Sequence, residues 1–318
     1  MSRRRRLSAI AVVAGAVLVA ALLWAAHPAQ ILALARRTSA EALALGFAWA
    51  TIVLALRGAR LGLLSGGRLS PARATAVIAA AQLPTTVLPM RLGELAFLPA
   101  LRAAGVAGAV RGLSFLVLTR VLDVGGLLLW AVGVGIWMRV PGLLAAATVA
   151  AAIGLTGYLA LRSTRSAHRL ALRLRHGGAW RRRLLRQLLE VRHELLRVSR
   201  SPWRAAMLGV CSLAIWGGIW QVTVTLMRGM GLAWPAKSIL LGVIGAALGA
   251  SLPLNVVGTF GTQEAGWAAA LATVGVAAKE ALATGFASHT WSIAFAGVHC
   301  LMALPWLLAW QRRSRLLV

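Results

Sequence analysis

Residues 83–123, LPTTVLPMRLGELAFLPALRAAGVAGAVRGLSFLVLTRVLD, decide the fold, because residues 252–293, LPLNVVGTFGTQEAGWAAALATVGVAAKEALATGFASHTWSI, follow the same plan. Both open on Leu-Pro, at Leu83-Pro84 and Leu252-Pro253, and pass through Pro and Gly to an isolated carboxylate, Glu94 or Glu264. Gly-Val follows eleven residues later in each, at Gly105-Val106 and Gly275-Val276. An apolar segment broken by Pro and Gly with a carboxylate inside, occurring twice, is the pattern of an intramembrane binding site in a transporter built from repeats.

The rest of the chain sets the solvent. With 59% hydrophobic residues, a mean hydropathy of +0.79 and several apolar runs long enough to cross a bilayer, the sequence reads as an all-helical, multi-pass membrane protein. Lys and Arg number 34 against seven Asp and Glu. Because this charge sits between apolar spans, it reads as positive-inside topology, with anionic head groups at the cytoplasmic surface as its partners and no nucleic acid. Cys211 and Cys300 fall singly in apolar spans, so neither a disulfide framework nor a metal site is indicated, and they read as packing residues.

The expected architecture is about six transmembrane helices plus two re-entrant hairpins, in inverted repeats at 1–139 and 140–318. Arg3, Arg4, Arg5 and Arg6 precede a first span at 7–26, and a second at 41–56 ends in a basic loop with Arg57, Arg60, Arg68 and Arg73. Residues 74–104 read as the first hairpin, broken at Pro84, Pro89 and Gly93; such backbone is tolerated at membrane depth only where protein or a wet cavity covers it. Spans at 113–138 and 143–161 follow. The segment 162–204 carries thirteen arginines, and Leu184, Leu188, Val191, Leu195 and Val198 lie at helical spacing along its second half. It reads as an amphipathic cytoplasmic helix lying apolar side down on the membrane. A span at 205–227, a second hairpin at 239–278 broken at Pro253, Gly258 and Gly261, and a last span at 281–310 complete the layout. Both termini then lie in the cytoplasm of a cell-membrane protein.

The chemistry rests on polar residues that a bilayer disfavours. A charge at its centre costs on the order of 3 kcal/mol, so Arg91, Glu94, Arg120 and Asp123 have to be paired or wetted. Arg120 and Asp123 stand three residues apart on one helix face, and Arg91 and Glu94 have the same spacing if that arm is helical. Two readings fit: ion pairs that pin hairpin to helix, or arginine forks that receive a lipid phosphate while the carboxylates balance charge in the empty site. The second stretch supplies Asn255, Gln263, Glu264 and His289, with no arginine. His289 reads either as a hydrogen-bonded interior residue or, beside Glu264, as a proton carrier.

No Walker-type loop, HExxH, nucleophile elbow or Cys/His cluster occurs, so an enzyme is the weaker expectation and no cofactor is expected. Leu88-Pro89, Arg91-Leu92-Gly93-Glu94, Arg120 with Asp123, and Gly258 with Gly261 before Gln263-Glu264 resemble the lysylphosphatidylglycerol synthase transmembrane-region family of flippase-like membrane proteins. The resemblance covers nearly the whole chain. It implies an inner-membrane protein related to the domain that moves aminoacylated phosphatidylglycerol between leaflets. The full-length synthases carry a soluble aminoacyl-transfer domain after that region, whereas eight residues follow Trp310 here, so lipid modification is not expected. The family's second half often has an arginine where His289 stands, which leaves open whether both halves meet the head group alike. The leading expectation is a lipid flippase for an anionic phospholipid or polyprenyl-phosphate carrier. The alternatives are a non-transporting membrane partner of a lipid synthase or glycosyltransferase and, third, an intramembrane enzyme.

Overall fold

The computed structural model describes residues 17, 19–106, 108–163, 178–251 and 259–316, and every regular element among them is helical. Residues 3–6, most of the run at 7–26, residues 164–177, and Pro253, Asn255 and Gly258 lie outside the described residues.

Helices α1 (Val19–Ala26) and α2 (Pro28–Arg37) meet at a 67° bend, where His27 takes a φ of 54° and Pro28 starts α2 at a position whose N–H needs no partner. Five further helices are long and apolar enough to cross a membrane: α3 (Ala40–Ser65), α6 (Ala109–Trp137), α7 (Pro141–Arg162), α9 (Pro202–Gly229) and α12 (Ala278–Leu316). The bent pair makes a sixth span if it is counted as one. At 1.5 Å per residue the 29 residues of α6 run about 43 Å, more than the roughly 30 Å of hydrocarbon.

Helix α3 continues to Ser65 instead of ending at Leu56. The cause is the sequence after the arginines, where Leu61 and Leu64 are buried, and the stop comes at Gly66 and Gly67, both at positive φ. Their N–H groups close the turn onto Leu63 and Gly62 carbonyls. Arg57 and Arg60, expected in a cytoplasmic loop, therefore stand on a helix among apolar residues.

Two helix pairs occupy the stretches read as hairpins. Helix α4 (Pro71–Val87) leads into a 3-10 segment (Pro89–Ala96) and α5 (Phe97–Ala103). Pro84, expected as a break, lies inside α4. Proline there removes the hydrogen bond to the Ala80 carbonyl, and the Cys300 thiol donates to that carbonyl instead, at 3.7 Å. The cysteine read as inert packing thus satisfies a group that Pro84 leaves open. Chain reversal falls at Leu88-Pro89, and Gly93 then approaches so closely that a Cβ would run into the Pro84 carbonyl. In the second stretch, α10 (Ala236–Ser251) and α11 (Thr262–Ala272) pack backbone to backbone through Gly245, Gly249 and Gly266, the small-residue contact of membrane helices. The 16 residues of α10 rise only about 24 Å.

The matching Gly-Val pairs have a local cause. Gly105 and Gly275 both take positive φ, and Val106 and Val276 donate to the Leu101 and Leu271 carbonyls at 3.0 and 3.2 Å, so each pair ends a helix in a Schellman turn. Helix α9 ends the same way at Gly231-Leu232; the Gly-Val match is a helix stop before it is a mark of duplication.

The chain divides into two compact units, one of residues 1–54, 78–96 and 217–305 and the other of residues 55–77, 97–216 and 306–318. The core of the first includes Val222, Leu226, Met230, Ala287 and Phe295, with Phe47 stacked on His299. That of the second joins Leu64, Leu118 and Leu208 to Val191 and Val198 of α8 (Ala179–Ser199). The apolar stripe of α8, expected to face the membrane, is thus spent on the protein in this second half of the helix. Glu194, fully buried there, takes Arg68 at 3.3 Å and Arg111 at 3.9 Å, and accepts Arg197 Nε at 2.6 Å. A carboxylate that gathers three arginines secures an otherwise strongly basic helix.

Candidate functional site

In the second unit, Asp123 sits at the midpoint of α6, fourteen residues from Ala109 and fourteen from Trp137, or about 21 Å from either end. The expected pair with Arg120 is present at 3.3 Å, but the shorter bond comes from another helix. Arg60 Nη2 on α3 donates to Asp123 Oδ1 at 2.6 Å, and its Nη1 donates to Ser212 Oγ on α9 at 3.2 Å. Arg60 is 1% exposed. Trp216 on α9 donates to the Asp123 backbone carbonyl at 2.9 Å, and the close approach is possible because Gly126 lies against the Trp216 ring. Arg60 and Asp123 together therefore tie three helices. A buried arginine with its carboxylate removed would stand uncompensated, at a cost of about 3–5 kcal/mol.

In the first unit, Glu264 and His289 meet as the sequence reading required for a proton carrier. Glu264 is the third residue of α11, so its side chain can reach back, and Oε2 accepts the Gly261 N–H at 2.7 Å, half of a capping box. Gly261 takes a φ of 96°, open to glycine at no steric cost. Oε1 shares a 2.5 Å hydrogen bond with His289 Nδ1 on α12. The opposite ring nitrogen is joined to Thr259 Oγ1 at 2.9 Å, and the Phe260 ring lies 4.4 Å from the imidazole. The Thr259 N–H donates to the Thr86 carbonyl at the end of α4, 3.2 Å away. A continuous path of hydrogen bonds thus runs from the start of α11 through α12 to α4. Glu264 and His289 are both nearly inaccessible, and the buried bond gives each a partner it would be costly to lose.

The remaining expected residues are placed less directly. Glu94 is half-buried on the 3-10 segment and Gln263 half-buried on the first turn of α11; of Pro89 and Arg91 the backbone alone is described. Sequence reasoning missed Arg57, Arg60, Ser212, Trp216, Thr86 and Thr259. The available signal for Arg60 was the leucine run after it, which extends the helix; a backbone carbonyl such as that of Thr86 leaves none.

Long apolar helices with charged side chains bonded inside them define a multi-pass integral membrane protein. The chain belongs to the lysylphosphatidylglycerol synthase TM region family, which it matches over residues 8–309, and with it to membrane proteins related to lipid handling. No curated protein and no solved structure matches it.

Proposed function

We propose that the protein is a flippase-like transporter that binds the anionic head group of a phospholipid or lipid-linked carrier and moves it between leaflets, rather than an enzyme. The observation that carries this reading is the Arg60–Asp123–Arg120 cluster at mid-depth of an apolar helix. Ion pairs are a costly way to hold membrane helices together, whereas arginine forks at that depth suit a phosphate passing through. Arg120, 43% exposed, receives the phosphate, and Arg91 is the corresponding cation of the other unit. The α10–α11 pair, whose second helix bonds α12 through Glu264 and His289, is a re-entrant hairpin and the mobile part. The basic face of α8 meets anionic head groups at the cytoplasmic surface.

Lysine keeps the charge but loses the planar fork. Arg120→Lys and Arg91→Lys proteins reconstituted in liposomes are expected to fold and to lose leaflet exchange of a fluorescent phosphatidylglycerol. Wild-type exchange by both would overturn the reading of these arginines as phosphate ligands.

A further inference from the structure

Arg57 lies one turn before Arg60 on α3, half-buried, and the charges whose fields reach it are Asp123, Arg60 and Arg120. It makes no hydrogen bond or ion pair with a described residue. Arg60 Nε, on a side chain 2% exposed, has no partner among the described residues either. Asp123 is engaged elsewhere, with Oδ1 on Arg60 Nη2 and Oδ2 on Arg120 Nη1, and neither oxygen bonds Arg57 or Arg60 Nε. Beside the cluster α6 presents Val117, Val121 and Val124, 40%, 58% and 50% exposed.

We infer that Arg57 and the open edge of Arg60 form a seat for a phosphate ester, the phosphate of a phospholipid whose acyl chain lies along Val117, Val121 and Val124. This adds Arg57 to the proposed lipid reading, gives the free edge of Arg60 a direct part in it, and rests on that reading. Residues three apart on a helix stand side by side, so one tetrahedral anion can take N–H groups from both guanidinium forks. A structural pin requires a partner, and Arg57 has none on the described chain. Asp123 then acts as a positioning residue: it fixes one end of the Arg60 guanidinium and turns the other toward the ligand. An apolar strip beside a cationic seat matches a lipid better than a soluble phosphate, which would gain nothing from the valines.

The test is a binding titration of the whole purified protein in neutral detergent, with dihexanoyl phosphatidylglycerol and glycerol 3-phosphate as probes. Wild type is expected to prefer the lipid. Arg57→Gln should weaken lipid binding by roughly tenfold, as expected for loss of a charge-assisted bond, and Arg57→Lys by less. Arg228→Gln, which removes one positive charge at the end of α9, should leave binding unchanged. Lipid binding that survives Arg57→Gln in full overturns the seat and leaves the lipid reading standing. Equal affinity for glycerol 3-phosphate keeps the seat and overturns the lipid reading, and no binding of either probe by wild type overturns both.

Discussion

Glu264 does two things with its two oxygens, holding the Gly261 N–H at the start of α11 and His289 Nδ1 on α12. The first is structural and works with a neutral group that keeps an acceptor; the second requires a proton that either partner can hold. Glu264→Gln separates them, since the amide oxygen can still cap Gly261 while the side chain no longer titrates. If the pair moves protons during transport, wild-type exchange changes across a scan from about pH 5.5 to 8, and the Gln variant loses that variation along with most of its rate. Matching pH profiles and equal rates would leave Glu264 as a cap alone. The two residues were legible as candidates because an ionisable residue within an apolar run stands out, whereas Lys279 and Glu280 sit just after the Gly275-Val276 helix stop. Arg60 was not legible, because two arginines near the expected end of a span read as the end itself. What kept the helix going was Leu61 and Leu64, whose burial depends on neighbours from distant sequence.

Helices and their ends were largely readable, since composition and turn glycines act locally, while contacts between helices were not. Pro84 shows the difference: alone it reads as a break, yet α4 continues because Cys300, 216 residues further on, donates to the carbonyl left open. The stripe of α8 reads equally well toward lipid or protein, and only Glu194, buried and bonded to Arg68 and Arg111, shows which. The α10–α11 pair depends on glycine in a more testable way. A Cβ at Gly266 would enter the Gly245 carbonyl, whereas one at Gly125 on α6 would meet nothing within 4 Å. Gly266→Leu should force the helices apart and cost at least about 1–3 kcal/mol. Gly125→Ala should be neutral or add up to about 1 kcal/mol through helix propensity. Thermal unfolding of both in one detergent checks the pair, and a Gly266→Leu protein as stable as wild type would show that the close packing carries no load.

For the whole molecule, charge near the span ends decides which side each loop faces, and the structure moves part of that charge into a helix. With Arg57 and Arg60 inside α3, the connection between α3 and α4 keeps only Arg68, with Arg73 on the first turn of α4, and Arg68 is partly neutralised by Glu194. The orientation then rests on the segment 162–204, with its thirteen arginines, and on the C-terminal Arg312, Arg313 and Arg315. Loops near span ends set topology by their Lys and Arg count whether or not a carboxylate lies nearby, so the same sides are expected: both termini and the α3–α4 connection in the cytoplasm, the α6–α7 turn outside. If either helical pair were two full crossings instead of a hairpin, the chain would return to the same face and these sides would not change. Single cysteines at Ser70, Pro141 and Ser314, in a background with Cys211→Ser and Cys300→Ser, test the assignment. Serine at 300 keeps a donor for the Ala80 carbonyl. A membrane-impermeant thiol reagent applied to intact cells should label position 141 alone, and positions 70 and 314 should react only after the membrane is opened. Labelling of position 70 from outside would remove the cytoplasmic α3–α4 connection and, with it, the inverted relation expected between residues 1–139 and 140–318.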